Sequence, residues 1–280
     1  MLNFAKAHAY GNDFLFVPHE QAERFDPHEL ARVTCARHSG IGGDGLILYT
    51  IAADGTARMT LYNTDGSPSE LSGNGLRCLA ALVLHQRARH AGHGPISEVR
   101  VDTDAGWKSL TLVSRNGGKY TFRAAMGAPT NVREEELEVA GEVLRVTTLR
   151  MGNPQCVSLV DTLPDEQRFN RLGPALSTHR RFAAGTNVEF ARIEAPNTVR
   201  ILIWERGVGP TTASGTGACA AAVAAIAHGG AARDIDVIAP GGSQRVEWRD
   251  DGIYLTGWAE VVFEGHWIPD AELPPSPRSR

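Results

Sequence analysis

Two short strings in the chain have the composition of an anion-binding turn: Leu71-Ser72-Gly73-Asn74-Gly75 and Ala213-Ser214-Gly215-Thr216-Gly217. Each leads into a run of helix formers, GLRCLAALVLHQRARH from Gly75 and GACAAAVAAIAH from Gly217. A helix N-terminus exposes N–H groups without intrahelical partners and carries partial positive charge, so such a loop can bind an anion or steady negative charge that develops in a reaction. Taken singly, Ser72 and Ser214 read as N-caps, with glycines serving the turns. Two copies, each embedded in a longer polar string, read instead as a pseudo-symmetric pair of sites facing one cleft. Nucleotide phosphate is the commonest ligand of loops like these, but neither GxGxxG with a following acidic residue nor GxxxxGK[ST] occurs.

Other residues could do chemistry. Glu205-Arg206, between the strand-like VRILIW and a GVG turn, is either a structural ion pair or part of a site. Cys35, Cys78, Cys156 and Cys219 are far apart and lack CxxC pairing, so each reads as a buried, reduced thiol. His8 and His179 stand in suggestive contexts but read as structural.

The elements that position these residues follow from period. LFV near Phe14, LILYTI from Leu46 and RMTLYN from Arg58 predict strands, and Gly75 to His90 predicts a helix closed at Gly92. Strand-like pieces return from Val99 (VRVDTDAG, KSLTLV, KYTFRAAMG, LRVTTLRMG), and a helical or loop region spans Asp165 to His179. TNVEFARI and VRILIWE precede the second strong helix, Gly217 to His228, which closes at Gly229; IDVIA, SQRVEW and IYLTGWAEVVF follow. The PPSPRSR tail reads as disordered. The chain thus has two similar halves, each many strands and one dominant apolar helix entered through a glycine-rich turn.

With 280 residues, 42% of them hydrophobic and 21% charged, the chain can bury a full core. A net charge of −4 and the absence of any Lys/Arg run supply no field for nucleic acid or an anionic membrane surface, which leaves a small molecule as the expected partner. MLNFAKAHAYGNDF has no signal-peptide pattern, and no apolar run is long enough to span a bilayer; the expectation is a cytoplasmic protein.

At this point the strings resemble a family. KAHAYGNDF from Lys6, GIGGDG from Gly40, YNTDGSPSELSGNGLRC from Tyr62, MGNPQC from Met151 and WERGVGPTTASGTGACAAA from Trp204, with GTNVEF at Gly185, resemble diaminopimelate epimerase in order and spacing over nearly the whole chain. The resemblance implies an α/β (α+β) fold of two pseudo-symmetric domains, each a strand-rich, barrel-like layer around a central helix, with the active site in the cleft between them. It places residues 1–116 with 264–280 in the N-terminal domain and 117–263 in the C-terminal one. It implies no pyridoxal phosphate, metal or other cofactor, a small amino-acid substrate, and a homodimer.

The family's activity is interconversion of LL- and meso-diaminopimelate by two-base proton transfer at the α-carbon, one cysteine taking the proton and a second donating one from the opposite face. A thiol suits this because a helix N-terminus lowers its pKa toward neutrality. Those two positions correspond here to Ser72 and Ser214. Carried over residue by residue, Asn12, Asn63, Asn153, Asn187, Glu205 and Arg206 grip the substrate's ammonium and carboxylate ends, and Gly73-Asn74 and Gly215-Thr216 supply backbone N–H groups to the reacting carboxylate. The family's GNPH histidine is Gln155 here, and glutamine cannot take a proton near neutral pH. Serine is a far weaker acid than a thiol and needs an adjacent base, and none is evident in sequence. Three readings stay open: an epimerase working through serine, a divergent racemase or isomerase, and a form that binds ligand without turnover. Deliberate cysteine-to-serine replacement accounts for the serines but not for Gln155, whereas natural divergence accounts for all three.

Overall fold

The structure, a computed structural model, describes residues 1–69, 72–89 and 96–269. The expected helix end at His90 to Gly92 and the PPSPRSR tail lie outside these residues, as does Leu71 of the first glycine turn. In chain order the first part comprises β1 (Leu2–Ala9), β2 (Asn12–Pro18), α1 (His19–Ala22), α2 (Pro27–Cys35), β3 (Gly45–Ile51), β4 (Ala57–Asn63), β5 (Pro68–Ser69), α3 (Gly73–Arg89), β6 (Glu98–Asp102), β7 (Lys108–Asn116) and β8 (Lys119–Gly127). There follow β9 (Thr130–Val139), β10 (Glu142–Met151), β11 (Asn153–Leu159), α4 (Glu166–Ser177), β12 (Asn187–Ala195), β13 (Thr198–Glu205), β14 (Gly209–Thr211), α5 (Gly215–His228), β15 (Asp234–Ala239), β16 (Gly242–Arg249) and β17 (Gly252–Trp267).

The chain divides into two compact units, residues 1–123 with the stretch from 258 onward, and residues 124–257. The boundaries therefore fall at 123/124 and 257/258, where the sequence reading had placed them at 116/117 and 263/264. They lie inside β8 and β17, two uninterrupted strands that pass from one unit to the other, so no change of composition marks them.

The pairing pattern of one unit repeats in the other. In the first, β1 and β2 form an antiparallel hairpin, β2 pairs parallel to β3, β3 antiparallel to β4, β4 antiparallel to the short β5 and parallel to β6, and β6 antiparallel to β7. In the second, β10 and β11 form the hairpin, and β12, β13, β14, β15 and β16 follow with the same sequence of directions. Each parallel link needs a crossover, and the helices supply it: α2 and α4 bridge the first, α3 and α5 the second.

Helices on both faces explain why strands such as β2, β3 and β12 are buried almost continuously rather than alternately. In the second unit α5 is buried nearly all round, its alanines and Cys219 packed among Leu149, Val157, Ile201, Val237, Val246 and Leu255 of the surrounding strands. Small side chains are needed there because six strands crowd one helix. The other face of that layer carries α4, whose Phe169, Leu172 and Leu176 join Val146, Val188 and Phe190. In the first unit α3 packs on β1, β2 and β6, and α2 inserts Leu30 and Ala31 against Leu15, Val17, Leu46 and Leu48. Among the described residues no helix is long and apolar enough to cross a membrane.

Candidate active site

The glycine turns deliver their serines as helix caps in both units. The Gly75 N–H donates to Ser72 Oγ at 3.1 Å, and the Gly217 N–H donates to Ser214 Oγ at 3.2 Å. Both glycines sit in close approach: a Cβ on Gly75 would lie 2.9 Å from Ile47 Cδ1, and one on Gly217 would lie 2.6 Å from Glu189 Oε1, so either side chain would have to shift.

In the first unit the turn is joined to the start of β2. Asn12 is the first residue of that strand, after a turn in which Gly11 has φ 88°. Its Nδ2 donates to Asp44 Oδ2 at 2.8 Å, and its Oδ1 accepts from Asn74 Nδ2 at 3.0 Å; Asn74 Oδ1 accepts from the buried Arg77 at 2.5 Å. Asn12 and Asn74 are thus held by a side-chain chain that ends in a cation. Asn63, the last residue of β4, is exposed and ties its own turn, donating from Nδ2 to Ser67 Oγ at 3.0 Å. It is not hydrogen-bonded to the Asn12–Asn74 pair. Gly73 has no heavy atom within 4 Å of where a Cβ would stand, so the turn is open there.

The equivalent positions of the second unit are chemically richer. Asn153 opens β11 as Asn12 opens β2, again after a glycine of positive φ, Gly152 at 81°. Its Oδ1 accepts from Gln155 Nε2 at 2.6 Å, while Gln155 Oε1 is buried without a hydrogen-bond partner. Asn187 opens β12, is 8% exposed, and its Oδ1 accepts from the Arg206 N–H at 2.9 Å. The exposed Arg206 donates to Ala184 O at 2.8 Å, which turns its guanidinium along the 182–185 loop, and no salt bridge joins it to Glu205 among the described residues. Glu205 ends β13 beside the Ser214 hydroxyl; burial pushes its pKa up, and the neighbouring hydroxyl only partly offsets that. Gly215 is buried and Thr216 partly buried in the first turn of α5.

Sequence reasoning had found no base beside either serine. The structure places Glu205 there for Ser214, and behind it a residue the sequence reading missed. Glu189, on β12, is fully buried, neither carboxylate oxygen has a hydrogen-bond partner, and burial, with Glu205 beside it, drives its pKa well above the ordinary carboxylate range. Its strand position corresponds to Ile47 on β3, two residues beyond Gly45, which pairs with Phe14 as Asn187 pairs with Gln155. Phe14 and Ile47 under α3 are thus answered by Gln155 and Glu189 under α5. A signal existed in sequence: in NVEFA, Glu189 shares the strand face of Asn187 rather than that of Val188 and Phe190.

The other titratable candidates go elsewhere. His8 packs edge-on against Trp258 and lies 3.7 Å from Glu260, and His179 Nδ1 accepts from the Arg181 N–H at 3.2 Å. All four cysteines are buried, and none is in a disulfide. Burial pushes the Cys35 thiol up to about 12, and those of Cys78 and Cys156 higher still, so none of these three supplies a thiolate. Among the described residues no group of three or more His, Cys, Asp or Glu side chains could hold a metal ion.

Comparison with known proteins gives this arrangement a family. Solved structures share the fold: a probable proline racemase from Agrobacterium radiobacter superposes with a TM-score of 0.69 at 16% identity, over 98% of this chain and 95% of that one. A hydroxyproline epimerase from Agrobacterium vitis does so at 0.66 and 15%, over 94% and 90%. In sequence, the diaminopimelate epimerase of Desulfitobacterium hafniense is 40% identical over 96% of this chain and 99% of its own length, and that of Desulforudis audaxviator 41% identical over 95% and 99%. The profile of the family described as diaminopimelate epimerase matches residues 4–132 and 147–262, and with these full-length relatives it shows that the chain belongs to the diaminopimelate epimerase family.

Proposed function

We propose that the protein is an amino-acid epimerase that interconverts LL- and meso-diaminopimelate by cofactor-independent proton transfer at the α-carbon, with Ser72 and Ser214 at the acid–base positions. The observation that carries the chemistry is the largely buried Glu205 carboxyl beside the Ser214 hydroxyl that caps α5. A hydroxyl backed by a carboxylate can relay a proton that it could not hold as an alkoxide. As the α-carbon loses its proton to Ser214 Oγ, the serine's own proton passes to Glu205; the electron pair stays on the substrate, where N–H groups of Gly215-Thr216 and Gly73-Asn74 stabilise the charge that develops on the carboxylate. The opposite face of the carbon then receives a proton relayed from water through the Ser72 hydroxyl, Glu205 gives its proton back to solvent, and the reverse direction runs these steps in the opposite order. Asn12, Asn63, Asn153, Asn187 and Arg206 are the groups for the substrate's charged ends. Among the described residues no titratable group is hydrogen-bonded to the Ser72 hydroxyl, which accepts from the Gly75 N–H. The reading includes a homodimer; sedimentation would show a species of twice 30.1 kDa.

A second reading is favoured by the triple change of Ser72, Ser214 and Gln155: another amino-acid racemase or isomerase on the same scaffold, or a form that binds without turnover. The experiment that separates them follows the α-proton of LL-diaminopimelate by NMR in deuterium oxide, with the protein and with a Ser72→Cys, Ser214→Cys double variant. Exchange and appearance of the meso form with the unmodified protein are expected. Exchange by the double variant alone would mean a diaminopimelate site disarmed at its acid and base, and exchange by neither would overturn the substrate.

A further inference from the structure

Glu189 is the part of the Ser214 half-site to which the proposed reaction assigns no task. The fold does not demand a carboxyl there, since the first unit fills the equivalent place with Ile47. Burying an unpaired carboxyl costs several kcal/mol unless it stays neutral, whereas an isoleucine would contribute its burial to stability. The carboxyl also faces the chemistry. Its Oε1 lies 2.6 Å, and Ser214 Oγ 3.2 Å, from the single point that a Cβ on Gly217 would occupy, so acid and hydroxyl converge on the same gap in the first turn of α5. Glu205 stands beside that hydroxyl and is the charge that bears on Glu189.

The titratable groups against Glu189 are Glu205 from β13 and the Cys156 thiol from β11; the first turn of α5 presents the Ser214 hydroxyl and backbone N–H groups, and no cation acts on it among the described residues. Two carboxyls desolvated side by side do not both ionise; they titrate as a pair. We infer that Glu189 is a positioning residue for proton transfer at Ser214: a neutral carboxylic acid that keeps one proton beside Glu205, so that this half of the site carries a carboxyl pair with a single negative charge. The consequence is that Glu205 is the member of the pair that ionises and can accept the relayed proton, while its charge holds the other proton on Glu189. In mechanistic terms the inference rests on the epimerase reading, but the existence of the pair does not.

The test is a pH titration of the full chain labelled with carbon-13 at the glutamate carboxyls, comparing the unmodified protein with Glu189→Gln and Glu205→Gln, beside the pH profile of α-proton exchange. Glu189→Ile, which restores the first unit's residue, is the second variant. The expected result is a coupled pair of titrations, one well above the ordinary carboxylate range. Glu189→Gln then abolishes the higher one and leaves the Glu205 midpoint, and the limb of the rate profile that reports it, in place, while Glu205→Gln removes the neighbouring charge and moves the Glu189 midpoint down by about one pH unit. A coupled pair in a protein without exchange activity would uphold the pair while ending the epimerase reading. A Glu189 midpoint that does not move in Glu205→Gln would overturn the inference, leaving Glu189 as packing. So would a Glu189 that titrates in the ordinary range, as an anion seated on the helix end.

Discussion

Ser72 and Ser214 are both helix caps, and what stands behind each hydroxyl differs. Beside Ser214 stands Glu205, whereas among the described residues no titratable group is bonded to the Ser72 hydroxyl, so the burden of proton transfer is unequal. Glu205→Gln keeps the side chain's shape and loses the base; α-proton exchange should fall about 10²- to 10⁴-fold while the melting temperature holds, and an unchanged rate would remove Glu205 from the relay. Glu189 has a separate signature in stability. Its folded pKa lies above that of an unfolded glutamate, about 4.3, so its contribution is fully present below that pH and is lost as pH rises toward the folded value. Glu189→Gln has no proton to lose, and its unfolding free energy should decline less between pH 5 and 8 than that of the unmodified protein. Equal slopes in urea melts across that range would contradict the burial of a neutral acid. Ser214 and Glu205 were legible as members of quoted motifs, but their proximity was not, because it brings a strand end to a helix cap across a folded turn.

The GIGGDG string shows how an element is finished by residues outside it. The N–H groups of Gly40, Ile41, Gly42 and Gly43 bond to the carbonyls of Ala36, Thr34 and Cys35, closing the C-terminal end of α2, and the chain then delivers Asp44 to Asn12. Gly40 is in the tightest place, where a Cβ would meet Val33 O at 2.1 Å, backbone that has no room to yield. Gly40→Ala should therefore cost about 2 kcal/mol or more, and Gly73→Ala, which meets nothing, should stay within about 0.5 kcal/mol; thermal melts of the two variants compare them directly. The strong helices and most strands were legible because their apolar spacing is local. The strand β9 was not, since Glu134, Glu135, Glu136 and Glu138 give it the look of a solvated charge run, and only Leu137 and Val139, on the buried face, belong to the core. The short helix α2 was overlooked although Asp26 and Pro27 mark its start, Asp26 accepting from the His28 N–H at 2.8 Å.

At the scale of the molecule, the two units share one order of strands and helices but not one electrostatic plan. Asp13, next to Asn12, is buried and bonded to Lys6 at 2.8 Å and Arg37 at 2.7 Å; its counterpart after Asn153 is the uncharged Pro154. Burial alone would raise the Asp13 pKa, but the hydrogen bonds and charges of Arg37 and Lys6 prevail and bring it down to about 2. A depressed carboxylate contributes above its unfolded pKa and is lost as pH falls through the folded value, here about 2 kcal/mol between roughly pH 4 and 2. Hydrogen exchange at pH 3 should therefore open the first unit before the second, and Asp13→Asn should weaken the first unit already at pH 6; equal opening of both units at pH 3 would count against this.

The sequence by itself determined the family, the two-helix repeat and the residues that stand at the helix caps, because propensity, glycine turns and apolar period are read over a few neighbouring positions. It also determined the absence of thiols at the two positions where the chemistry is expected. Only the tertiary structure decided which carboxyls stand behind Ser214. Glu189, Glu205 and Gly217 come from β12, β13 and α5, and they meet through strand register and a parallel crossover, pairings that no local pattern specifies. The tertiary structure also decided that Glu189 is desolvated, since burial depends on what covers a residue, and here that cover is a helix 26 or more positions further along the chain.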